Sequence, residues 1–268
     1  GSGGGSGGGV WRSPLCTLRT GVMAGANCPR ELMRELVEEH SVGELSVCYG
    51  MTETSPVSTQ TRDGDDGEQR VSTVGRVHPH VEVKVIDPST GATVPRGTVG
   101  ELCTRGYSVM KCYWRNAEAT AAAIDDARWM HSGDLATMDD DGYVRIVGRQ
   151  KDTIVRGGEN VEPREVEECL VEALDAVIEA QVVAAPHARL GECVFAFLRV
   201  AERASAAATA ELTVANVRAA LAPRLASFKL PEHVHVLRAG EAWPLTTSGK
   251  VQKFVLRERA AELLLEQP

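Results

Sequence analysis

The chain predicts an α/β segment carrying a β-rich subdomain, followed by a small α+β domain. Three patterns carry that prediction: a helical face running straight into an apolar strand, a middle stretch of alternating residues cut by turns, and a strand, helix, strand, strand order over residues 151–268.

The opening "GSGGGSGGG" offers no side chains to pack, so residues 1–9 are expected to be a flexible Gly/Ser segment. Next, "PRELMRELVEEH" places Leu32, Leu36 and Val37 on one helical face with charges opposite, and "ELSVC" reads as a short buried strand leading into the polar loop "YGMTE". From Val74 to Gly148 the pattern turns to strands: Val81, Val83 and Val85 alternate with polar residues, "DPSTG" and "VPRGTVG" supply turns, and "GELCTRG" and "GYVRIVGR" follow as strands. Between them "NAEATAAAI" predicts a short helix with Asn116 as its N-cap. After "GRQKD" come a strand ("TIVRGG"), a helix opened by Pro163, strands at "VIEAQVVAAP" and "ECVFAFLRV", a helix near 213–222, a strand at "HVHVL" and a last helix from Lys253. The boundary is placed at Lys151, giving domains 10–150 and 151–268.

At 268 residues, with 43% hydrophobic and 25% charged side chains, the chain can bury a substantial core. Its formal net charge of -8 argues against a nucleic-acid track or an anionic membrane surface. No apolar run has the length of a membrane span, so no integral membrane segment is expected. The seven cysteines include no C-x-x-C and no Cys/His spacing typical of zinc ligands, which predicts neither a disulfide framework nor a structural metal site. A reducing, intracellular compartment fits, cytoplasmic or mitochondrial.

Four short stretches offer chemistry. In "YGMTE", Thr52 supplies a hydroxyl and Glu53 a carboxylate, the pair suited to a phosphate oxygen and its Mg²⁺, although a lone Thr-Glu more often caps a helix. In "HSGDL", Asp134 has the two acceptor oxygens that a ribose diol needs, or simply makes an Asx-turn. "GRQKDTIVRGGENVEP" sets Arg149, Lys151 and Asp152 before a glycine pair that permits close backbone approach, or simply ends a strand in a turn with solvated charges. "PLTTSGK" puts Lys250 on a glycine-hinged loop, where a lysine taken alone is by default an ordinary surface residue.

Taken together and in order, "AGANCP", "YGMTE", "GELCTRG", "HSGDL", "GRQKD…GGENVEP" and "PLTTSGK" resemble the adenylate-forming superfamily of acyl-CoA synthetases, luciferases and adenylation domains. The run "VGRQKDTIVRGGENVEPREVE" is most similar to medium-chain fatty acyl-CoA ligases. The resemblance covers Leu18 to Leu265. It implies a remnant of the large α/β AMP-binding domain with a β-rich subdomain, then a small α+β lid. It implies an acid-thiol ligase that uses ATP, Mg²⁺ and coenzyme A to activate a medium-chain fatty acid through an acyl-adenylate. By the same resemblance Tyr49 would face adenine, Thr52 the α-phosphate, and Glu53 Mg²⁺. Gly25 and Ala26 would pass along adenine and the acyl chain, Asp134 and Arg149 would hold the ribose, and Lys151 would be the hinge. Gly157 and Gly158 would line the pantetheine path. Lys250 would offset the repulsion between carboxylate and phosphate in the first step and leave for the second.

The family's Ser/Thr/Gly-rich phosphate loop, ending in lysine, is not among these residues. The missing N-terminal half of the large domain is therefore expected to be a partner of this chain, which alone would be incomplete. A ligase that loads a carrier protein, and a silent fragment that only binds nucleotide or a partner, stay open beside the leading activity. In "MKCYW", Cys112 stands where the family has glycine; it is expected to be a buried, inert thiol, and strained if the position requires positive φ.

Overall fold

The computed structural model describes residues 18–25, 28, 30–38, 42, 44–201, 205–237, 240–247 and 249–265; the Gly/Ser segment, Ala26 and Asn27 lie outside them. Two compact units result, one within Gly1–Ser132 and Ala136–Ile146, the other within Gly133–Leu135 and Val147–Pro268.

The first unit opens with β1 (Thr20–Met23), α1 (Arg30–Glu38) and β2 (Glu44–Gly50), the two strands pairing in parallel as a helical crossover allows. β3 (Val57–Gln60) and β4 (Arg76–Val77) extend the sheet antiparallel, in the order β1-β2-β3-β4. The helical face is rotated from the expected one. Met33, only 1% exposed, packs with Val42, Leu45, Val47 and Val71, Leu36 and Val37 flank it, and Leu32 is left outside. α2 (Gly67–Ser72) starts at a capping box: Asp66 accepts from the Gln69 N–H at 2.7 Å while the Gln69 side chain accepts from the Asp66 N–H.

The β-rich subdomain is a four-stranded sheet, β5 (Val81–Ile86), β6 (Gly100–Gly106), β7 (Met130–Met138) and β8 (Val144–Arg149), paired in that order. One face is apolar, with Val85, Leu102, Ala136, Met138 and Val144 in contact. α3 (Ala117–Ala123) is capped as expected: Asn116 Oδ1 accepts from the Ala119 N–H at 2.9 Å. The "HSGDL" stretch is not a turn but the interior of β7. Cys112 is exposed, not buried, and is absent from the positive-φ residues, so the expected strain does not arise.

In the second unit, β9 (Ile154–Arg156) and β10 (Glu159–Val161) form a hairpin, and α4 (Pro163–Ala173) follows with Pro163 in its first turn. β11 (Val177–His187) and β12 (Gly191–Val200) pair antiparallel. α5 (Ala206–Ala210), α6 (Val214–Leu221), β13 (His233–Val236) and α7 (Lys253–Leu265) complete the unit, with β13 parallel to β12. β12 reads as a nearly unbroken apolar run because both of its faces are covered. Val194, Ala196 and Leu198 point into a core with α4 and α6, while Cys193, Phe195 and Phe197 point into a second core with Trp243 and with Leu256 and Ala260 of α7.

Candidate functional site

β2 ends by turning sharply into β3, and that turn carries the first group of predicted residues. At Gly50 a Cβ would lie 1.7 Å from the Pro56 carbonyl oxygen, so the close approach of the two backbones excludes any other residue. Thr54, 1% exposed, locks the turn: its hydroxyl bridges the Met51 and Pro56 carbonyls, both at 3.1 Å, and accepts from the Met51 N–H. The lock leaves Tyr49 half-buried against the Leu102 cluster, Thr52 exposed and Glu53 half-buried in a single 3₁₀ turn.

Glu53 is held from outside the turn. Tyr113 donates its hydroxyl to Glu53 Oε1 at 2.8 Å, and the Met110 N–H donates to the Glu53 carbonyl at 2.8 Å. The bond to Glu53, followed by desolvation, pushes the Tyr113 phenol above its ordinary value and keeps it a donor. A carboxylate with one oxygen fixed this way can present the other to a hard cation, so Glu53 fits Mg²⁺ by donor type. Sequence reasoning missed Tyr113; the signal available was the aromatic residue beside Cys112 in "MKCYW".

Gly25 follows β1 with φ +83° and open space around its Cβ position, while its predicted companion Ala26 lies outside the described residues. Asp134 on β7 and Arg149 at the end of β8 come together: the Arg149 Nε–H donates to Asp134 Oδ1 at 2.8 Å. Asp134 is 7% exposed, whereas about half of the Arg149 side chain, 48%, faces solvent. The buried carboxylate is thereby oriented, and part of the Arg149 side chain faces solvent.

Lys151 sits exposed in a 3₁₀ turn, Gln150–Asp152, and its carbonyl accepts from Arg257 Nη2 of α7 at 2.8 Å. Gly157 and Gly158 form the two-residue turn of the β9-β10 hairpin with φ +60° and +92°, the double left-handed geometry that two glycines adopt without cost. The loop of Lys250 is closed on itself. Leu245 bridges Val251, the Thr246 N–H donates to the Lys250 carbonyl at 2.8 Å, and the Lys250 N–H donates to Thr246 Oγ1 at 3.0 Å. Gly249, at φ +82°, makes the reversal and leaves Lys250 exposed. Lys253, three residues on, is instead tied down by Glu167 at 2.6 Å. Tyr49, Thr52 and Glu53 belong to the first unit; Asp134, Arg149, Lys151, Gly157, Gly158 and Lys250 belong to the second.

Two family models match the chain, "AMP-binding enzyme" over residues 10–114 and "AMP-binding enzyme C-terminal domain" over residues 165–250. YngI of Bacillus subtilis (strain 168), named as an acyl-CoA synthetase, is 45% identical over 249 residues, covering 93% of this chain and 44% of its own length. The mitochondrial medium-chain acyl-CoA ligase ACSF2 of Danio rerio is 40% identical over 250 residues, 93% of this chain and 40% of that protein. Among solved structures, ATP-bound MatB from Rhodopseudomonas palustris superposes with a TM-score of 0.80 at 35% identity, over 90% of this chain and 45% of that one. The chain thus spans less than half the length of the relatives it matches. No helix among the described residues is long and apolar enough to cross a membrane.

Proposed function

We propose, from the premise that this chain belongs to the adenylate-forming AMP-binding enzymes, that it is the C-terminal portion of an ATP-dependent acyl-CoA ligase acting on a medium-chain fatty acid. In the first step a carboxylate oxygen attacks the α-phosphorus of ATP and pyrophosphate leaves; in the second a coenzyme A thiolate attacks the acyl carbonyl and AMP leaves. Thr52 donates to the α-phosphate, Tyr49 packs on adenine, and Asp134 with Arg149 takes the ribose hydroxyls. Gly25 and Ala26 pass along adenine and the acyl chain, and Gly157 and Gly158 give the pantetheine arm backbone without side chains. Mg²⁺, held by Glu53, would neutralise phosphate charge as pyrophosphate forms. Lys250 offsets the repulsion between the two anionic reactants, and Lys151 is the hinge whose rotation withdraws it.

The observation that carries this reading is the Glu53 carboxylate, fixed by Tyr113 beside an exposed Thr52 hydroxyl. The lysine loop supplies the test. In an enzyme completed with the upstream half, Lys250→Ala lowers acyl-adenylate formation by about 100-fold or more and leaves the thioester step from supplied acyl-adenylate nearly unchanged. Equal loss of both steps refutes the role. Coenzyme A turnover against transfer to a carrier protein, measured on the same enzyme, decides the acceptor.

A further inference from the structure

The β5-β8 sheet gathers three metal-ligating side chains that none of the roles above uses. Glu101 and Cys103 lie two apart on β6 and so share a face, and His131 stands on neighbouring β7. Their ligand atoms all lie within 4.8 Å of one another. His131 Nδ1 is 2.9 Å from Glu101 Oε2 and 3.7 Å from Cys103 Sγ. A ring nitrogen carries one proton or one lone pair, so two partners converging on Nδ1 exceed what one linear hydrogen bond uses.

A metal ion satisfies all three at once. Ligands about 2.0–2.3 Å from a tetrahedral centre stand roughly 3.3–3.6 Å apart, and the two observed separations bracket that range. Thiolate with imidazole and carboxylate selects zinc over magnesium or calcium. Glu101 and Cys103 are 6% and 0% exposed, while 29% of the His131 side chain is open, which gives an ion a way in. On the other side of the ring, Nε2 lies 3.8 Å from Asp125 Oδ2, and Asp125 is itself anchored by the Trp129 N–H at 2.7 Å. At 3.8 Å the Asp125 carboxylate is a nearby negative charge on that side of the ring rather than a hydrogen-bond acceptor. Lys84, registered opposite Cys103, has its ammonium 4.5 Å from the centre of the Trp129 ring, and Arg105, two residues on from Cys103, stands 4.5 Å from the same ring and is paired with Glu82.

We infer that Glu101, Cys103 and His131 form a zinc site with a fourth position for water. Binding converts the thiol to a thiolate and releases its proton to solvent, with no change of oxidation state. The inference is independent of the ligase reading and is tested on this chain without any activity. With Cys16→Ser, Cys28→Ser and Cys112→Ser leaving buried Cys48, Cys169 and Cys193 beside Cys103, the metal-free chain is titrated with Co²⁺ and back-titrated with Zn²⁺. One equivalent of Co²⁺ should bring a thiolate charge-transfer band that Zn²⁺ abolishes. Cys103→Ala should remove the band. The absence of a band, or a band that survives Cys103→Ala, overturns the site. Should Cys103→Ala fail to fold, cadmium NMR of the unsubstituted pocket decides: a shift typical of one sulfur ligand supports the site, and one typical of oxygen and nitrogen alone refutes it.

Discussion

Tyr113 and Glu53 are 60 residues apart and meet through one hydroxyl, which makes the tyrosine a positioning residue for the carboxylate rather than a reacting group. Tyr113→Phe, in the completed enzyme, should lower ATP–pyrophosphate exchange on the order of 10-fold and raise the Mg²⁺ concentration needed, while the thioester step from supplied acyl-adenylate holds; an unchanged Mg²⁺ dependence argues against the role. Glu162 shows the opposite situation. One of its oxygens accepts from Thr153 Oγ1 at 2.8 Å, while the buried Oε2 has no partner among the described residues and a Cβ on Gly148 would come within 2.3 Å of it. Burial raises its pKa, so the folded state holds the proton more tightly than the unfolded chain and loses stability as pH rises from the ordinary carboxylate range through the raised value. Glu162→Gln should therefore stabilise the protein by about 1 kcal/mol at neutral pH and by nothing at acid pH, as thermal melts at the two pH values would show. Without a metal ion, burial and then Glu101 push the Cys103 thiol up to about 12, so the free thiol is a poor nucleophile.

At the scale of elements, caps were the most legible features. Asn116 and Pro163 could be placed from sequence because each acts on backbone groups within four residues, and both stand where expected. Asn116→Ala should cost about 1 kcal/mol, measured as a lower urea midpoint with an unchanged slope. β7 was not legible. "HSGD" has the composition of a turn, and Gly133 has φ +67°, yet β6 and β8 on either side hold the segment as strand. The helical face of α1 was misread because spacing marks Leu32 and Met33 as equal candidates, and only the position of the sheet decides which is buried. The Glu101, Cys103 and His131 cluster was invisible for a related reason: Cys103 and His131 are 28 residues apart, and strand adjacency, not local spacing, joins them. The Asp134–Arg149 pair is likewise a product of neighbouring strands, although the motifs had supplied both residues.

For the whole molecule, two separate cores meet on the opposite faces of one strand, β12. Leu256, 1% exposed, is the point at which α7 enters the second of them. Leu256→Ala should cost about 2–5 kcal/mol, read from denaturant unfolding; a loss under 1 kcal/mol would mean that α7 is dispensable to this core. The stretch 193–198 of β12 is made before the thirteen residues of α7 that shield Phe195 and Phe197. Until then it is an uncharged, β-prone segment with one bare aromatic side, the kind that self-associates. The last helix therefore covers the aromatic side of its own strand, and a chain without it would leave Phe195 and Phe197 bare on that side.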